Sequence, residues 1–138
     1  MAVKALKALL CVAALVVGLW LATRPGGAAE PKGSPGTIVH CVFFWFKETA
    51  TKADIEAMLR DGKEMLAPLP CVKGFSTGTP LTQERGAPVD SSYHVGVTMC
   101  FEDAKAYETY GKHPDHLKLI EKHKPLWEKI VVYDFVRQ

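Results

Sequence analysis

Residues 37–47 read TIVHCVFFWFK. β-Branched and aromatic side chains fill most of the stretch, which is the composition of a strand. Side chains alternate across a strand, so Ile38, His40, Val42, Phe44 and Phe46 share one face, and Val39, Cys41, Phe43 and Trp45 share the other. A strand with one wet side would show a polar row. Here both rows are apolar, so both faces demand cover, and the strand must lie in a sheet that is packed on two sides.

Upstream of it, residues 1–7 carry Lys4 and Lys7, residues 8–22 (ALLCVAALVVGLWLA) are apolar and uncharged, and Gly27, Ala28 and Ala29 are small. That is the three-part layout of a secretory leader. The apolar run is shorter than the roughly 20 residues a membrane-spanning helix needs. Residues 1–29 are therefore read as a signal peptide cut after Ala29. Arg24, close behind the apolar run, suits instead an uncleaved N-terminal anchor, which would be the chain's one link to a membrane. Either way the expected location is extracytoplasmic, secreted or periplasmic. Residues 30–36 (EPKGSPG) make a flexible linker, and residues 37–138 are one domain of common size.

The whole chain has 17 basic and 15 acidic residues, a net charge of +2. Lys4, Lys7 and Arg24 belong to the leader; without them 14 basic residues face 15 acidic ones. A nucleic-acid binder would carry a clustered basic excess, and none remains. Lys118, Lys122, Lys124 and Lys129 alternate with Glu121 and Glu128, the pattern of a solvated helix face. Beyond the leader stand Cys41, Cys71 and Cys100, an odd number that leaves at least one thiol unpaired or bonded to another chain. Cys41 and Cys100 fall in strand-like runs and are expected to behave as small buried apolar groups.

The remaining elements follow from local signals. Thr51 with Asp54 three positions later forms a helix start, and Ile55, Met58, Leu59, Gly62, Met65 and Leu66 recur at helical spacing until Pro68 and Pro70. Residues 72–80 (VKGFSTGTP) read as a weaker strand suited to an edge. Residues 82–92 form a polar loop, and residues 93–101 (YHVGVTMCF) are a third strand. Glu102 or Asp103 opens a short helix toward Gly111. His113 and Pro114 open another, proline at its first position, extending to about Lys129. Residues 130–136 (IVVYDFV) close the chain as a fourth strand. The order βαββαβ is that of an α+β, ferredoxin-like unit with a four-stranded antiparallel sheet. Helices cover one side of such a sheet. A second copy is expected to cover the other, removing several hundred Å² of apolar surface, worth ~10 kcal/mol gross at ~25 cal/mol per Å² before association costs.

The segments IVHCVFFWFK, YGKHPDH and HKPLWEKIVVYDF, in this order, resemble the stress-responsive A/B barrel domain (Dabb) family over residues 37–136. The resemblance implies a dimeric α+β barrel, a homodimer with a pocket between sheet and helices in each copy. In a plant member, a tyrosine and a histidine of the second segment serve an aldol ring closure. Those positions fall here on Tyr110 and His116, with His40 as the pocket histidine of the first strand.

The residues support that chemistry on their own terms. Enolisation needs a base for a carbon-bound proton and a donor for the oxygen that becomes negative; a neutral histidine and a tyrosine hydroxyl supply them. His116, in the first turn of a helix, faces the positive end of the helix dipole, which favours the neutral ring. Phe44, His113, Ile120 and Trp127 are expected to line the same pocket. Structural roles compete: His113 stands where a helix N-cap belongs, and one of Tyr107 and Tyr110 should be core. No cofactor motif is present. Three classes of function stay open: a protein that binds a small apolar or carbonyl-containing molecule, with or without acid–base catalysis; a non-catalytic, stress-related dimer; and a metal site. The last would draw on His113 and His116 with His40, His123 or Asp134, but the spacing is not HExxH, and no metal ligand is assigned.

Overall fold

A computed structural model of the protein describes residues 34–81 and 86–138. The expected leader and most of the linker lie outside them. The elements are β1 (Ile38–Phe46), α1 (Lys52–Met65), β2 (Gly74–Gly78), β3 (Val95–Phe101), α2 (Ala104–Gly111), α3 (Pro114–His123), a 3₁₀ turn (Lys124–Leu126) and β4 (Trp127–Val136). The sheet order is β2-β3-β1-β4 with antiparallel pairings. This is the expected α+β, ferredoxin-like βαββαβ arrangement, its second helical region split in two. β2 is indeed an edge strand.

The helix starts form as their residues dictate. Thr51 Oγ1 accepts the Asp54 N–H at 3.2 Å while Asp54 Oδ2 accepts the Thr51 N–H at 2.8 Å, a reciprocal cap. Asp103 caps α2 through the Ala106 N–H at 2.7 Å. The last helix is shorter than expected: α3 stops at His123, and Trp127 belongs to β4, opposite Phe46. Pro125 is the reason, since it has no N–H for the helical ladder and its ring collides with the preceding turn.

β1 is central, and its two rows have different fates. His40, Val42, Phe44 and Phe46 are buried beneath the helices. One core cluster joins Val42, Phe44 and Phe46 to Met58, Val95 and Trp127; another joins Leu66, Leu69, Met99, Phe101, Tyr110 and Leu119. The opposite row of Val39, Cys41, Phe43 and Trp45 is only half-buried. Beside it on β4, Tyr133 and Phe135 are 61% and 54% exposed. Phe43 packs edge-on against Tyr93 and Tyr133, and Lys129 Nζ sits 4.4 Å above the Trp45 ring. The helix-free side of the sheet is thus an aromatic surface in the single chain. Cys41 and Cys100 face it and are half-buried rather than buried, because nothing among the described residues packs over them; both, like Cys71, are free thiols. No helix among the described residues is long and apolar enough to cross a membrane.

Candidate active site

Between the buried row of the sheet and the three helices lies a cavity of about 620 Å³. That is within the range of small-molecule pockets, ~300–1,000 Å³. Val42 and Phe44 form its floor with Val97 and Met99, α1 supplies Met58 and Gly62, and Ile130 and Val132 of the edge strand β4 flank the open side. The walls are mostly apolar, and the polar atoms gather at one end. There β1 begins, β4 ends, and α2 meets α3.

His40 on β1 and Tyr110 and His116 of the YGKHPDH segment all line this cavity. The Tyr110 ring lies 4.2 Å from the His116 ring and 5.9 Å from the His40 ring, centroid to centroid. Phe44, Ile120 and Trp127 also line it, as expected. Trp127 does so from β4 rather than from a helix; its indole N–H is buried with no acceptor among the described residues. His113 is not among the lining residues. Its Nδ1 accepts the Asp115 N–H at 3.2 Å, so it serves as the N-cap of α3, a duty fixed by Pro114 at the first helical position.

His116 Nδ1 is 3.3 Å from the carbonyl oxygen of Gly111. A carbonyl only accepts, so Nδ1 carries the proton and Nε2 keeps the lone pair. Burial holds the His116 ring below the ordinary histidine range, outweighing the Gly111 hydrogen bond; any charge on His40 and His113 acts in the same direction. The ring is neutral at pH 7 chiefly because it is desolvated, not because of the helix dipole. Tyr110 is buried, and burial first, then Tyr107 and Cys71, pushes its hydroxyl well above the ordinary tyrosine range. It is therefore a protonated donor at neutral pH. Its hydroxyl donates to no protein acceptor among the described residues.

The sequence offers Asp134 at this end only as a candidate metal ligand; the structure gives it a different partner. Asp134 stands directly across from His40 in the β1–β4 register, and its Oδ1 is 2.6 Å from His40 Nδ1. Tyr107 donates its hydroxyl to Asp134 Oδ2 at 2.9 Å, and its oxygen lies 3.3 Å from His40 Nδ1. Burial, then the hydrogen bond to Asp134 and its charge, push the Tyr107 hydroxyl up to about 12. The signal was present in the terminal strand. Aligning IVVYDFV antiparallel to IVHCVFF with apolar rows matched puts Asp134 on the face of Val132 and Ile130, beside His40.

His123, offered as a metal ligand, is instead 2% exposed, with Nε2 2.7 Å from Asp61 Oδ2. Lys122 Nζ reaches the same oxygen at 2.6 Å. Burial raises the Asp61 carboxyl, but the hydrogen bonds from Lys122 and His123 and their charge lower it further, so it ends below the usual range. This cluster ties α1 to α3. Among the described residues no three His, Cys, Asp or Glu side chains are placed to hold a metal ion.

Residues 38–137 match the family described as Stress responsive A/B Barrel Domain. The chain belongs to this family. Among its relatives, olivetolic acid cyclase of Cannabis sativa is 24% identical over 98 residues, covering 71% of this chain and 94% of the relative. A dimeric ferredoxin-like protein of unknown function from Thermobifida fusca superposes with a TM-score of 0.65 at 20% identity, covering 77% of this chain and 95% of that one. The hydroxynitrile lyase of Passiflora edulis superposes with a TM-score of 0.64 at 21% identity, covering 76% of this chain and 96% of the lyase. At these identities the superpositions speak for the fold alone. This A/B barrel domain therefore carries its histidines and tyrosines on a scaffold shared with proteins named as enzymes and with one described as dimeric.

Proposed function

We propose that this A/B barrel protein binds a small apolar, carbonyl-containing molecule in the 620 Å³ cavity and performs acid–base chemistry on it. The observation that carries the reading is the convergence of His40, Tyr110 and His116 on the polar end of an otherwise apolar chamber. The carbonyl oxygen is placed toward the Tyr110 hydroxyl, which stabilises negative charge as it develops there. An imidazole Nε2 then takes a proton from the neighbouring carbon. The apolar remainder extends along β1 from His40 toward Phe44, a span of about 13 Å at ~3.3 Å per residue. Low water content strengthens each electrostatic contact at the reacting end. A relative named as a cyclase and a fold neighbour named as a lyase agree with a catalytic use of this scaffold.

The same reading makes the protein a homodimer. The row Val39, Cys41, Phe43 and Trp45 and the exposed Tyr133 and Phe135 form an apolar sheet face that a second copy covers about a two-fold axis. The dimeric description of the Thermobifida fusca protein supports it.

Single replacements Tyr110→Phe and His40→Gln, assayed with 1-phenylpropan-2-one in D₂O, test the catalytic reading. The wild type should exchange the α-protons faster than buffer, and each variant should lose most of that rate while still binding the ketone. Ketone binding by the wild type with no exchange above buffer would refute catalysis and leave a non-catalytic binder.

A further inference from the structure

The two cavity histidines have different partners at Nδ1. His116 Nδ1 meets a neutral carbonyl at 3.3 Å, in a setting where burial disfavours the charged ring. His40 Nδ1 meets the Asp134 carboxylate at 2.6 Å, and a second donor, the Tyr107 hydroxyl at 2.9 Å, fixes the other carboxylate oxygen. A carboxylate only accepts, so the His40 proton sits on Nδ1 and the Nε2 lone pair is left for the cavity, which His40 lines. A proton arriving on His40 creates a cation beside an anion. One arriving on His116 creates a cation with no anion hydrogen-bonded to it.

We infer that His40 is the group that takes the carbon-bound proton, with Asp134 and Tyr107 as its positioning residues, and that His116 is not the proton acceptor. This rests on the acid–base reading above and revises the proton-acceptor duty expected of His116. The step balances within the protein. The C–H bond breaks, its electron pair forms the enolate double bond, the carbonyl π pair moves to oxygen under the Tyr110 hydroxyl, and the proton passes to His40 Nε2. Return of a proton from His40 to carbon completes an exchange, and in D₂O the returning nucleus is a deuteron. His116 packs on the Tyr110 ring at 4.2 Å and offers Nε2 as an acceptor to a ligand hydroxyl.

Two measurements on the full chain test this. The first is the ¹⁵N spectrum of histidine-labelled wild-type protein, which needs no variant. Neutral His40 should appear as the Nδ1-protonated tautomer, and Asp134→Asn should shift it toward the Nε2-protonated form. The second is α-proton exchange of 1-phenylpropan-2-one in D₂O. His40→Gln should lose ~100-fold or more, the usual scale for a general base. Asp134→Asn should lose at least ~10-fold and Tyr107→Phe less, with His116→Gln keeping more activity than His40→Gln. A neutral His40 protonated on Nε2 would overturn the inference. So would a His116→Gln variant at the buffer rate beside a His40→Gln variant within ~10-fold of wild type. If wild type exchanges nothing, the acid–base reading itself falls, and this assignment with it.

Discussion

Replacing Phe135 with alanine should take the dimer apart while leaving each copy folded. Phe135 lies on the helix-free face of β4 and is 54% exposed in the single chain. A phenylalanine presents roughly 200 Å², so a partner covering the ring removes about 100 Å² per copy, or about 2.5 kcal/mol at ~25 cal/mol per Å². Two-fold symmetry doubles this to about 5 kcal/mol, and the remaining methyl group returns about 1 of it. The net ~4 kcal/mol corresponds to a dissociation constant raised about 10³-fold, at ~1.4 kcal/mol per tenfold. Sedimentation velocity over a concentration series, on the chain without residues 1–29, reads the change directly. Far-UV circular dichroism should stay the same, since Phe135 is not among the core clusters. A dissociation constant within ~10-fold of wild type, or a wild type that sediments as a monomer at micromolar concentration, would refute the reasoning.

Other expectations follow from single groups. Asp61→Ala removes the acceptor of buried His123 and should cost about 2–4 kcal/mol, seen as a fall in Tm of about 10 °C or more. The folded Asp61 carboxyl lies below its ordinary value of 3.8, so its contribution is full above that pH and is lost as pH falls through the lower, folded value; acid titration of stability should show this loss in wild type and not in Asp61→Ala. Gly62 lines the cavity from within α1, and a Cβ there would sit 3.6 Å from Phe75 Cζ. Gly62→Leu should keep or raise Tm, since glycine costs a helix interior about 1 kcal/mol, while weakening binding of 1-phenylpropan-2-one in calorimetry. If residues 1–29 are a cleaved leader, the intact mass of the protein recovered from expressing cells should match a chain beginning at Glu30; a full-length mass would favour the anchor.

The fold was legible because few local signals conflicted. The period-2 rows of β1, the Thr51 cap and the proline at α3's start each name one structure, and they agree with one another. Where two signals overlap, one masks the other: the helical spacing of residues 114–127 hides the break that Pro125 imposes, so Trp127 reads as helical although it begins β4. The site was legible in part. Tyr110 and His116 stand in one motif, and His40 is conspicuous as the polar residue in an apolar row. Asp134 and Tyr107 depend on register and on the approach of α2 to the sheet, which are tertiary facts. His113 carried two readings, cap and pocket wall, and the cap is the one the structure bears out.

The claim on which the functional account turns is that ligand enters beneath the helices rather than at the aromatic face of the sheet. Methyl-resolved NMR during titration with 1-phenylpropan-2-one separates the two, because valines report on both sides. Shifts at Val42, Val97, Leu119, Ile120 and Val132, with Val39 and Val131 unmoved, are the predicted result; shifts confined to Val39 and Val131 would contradict it.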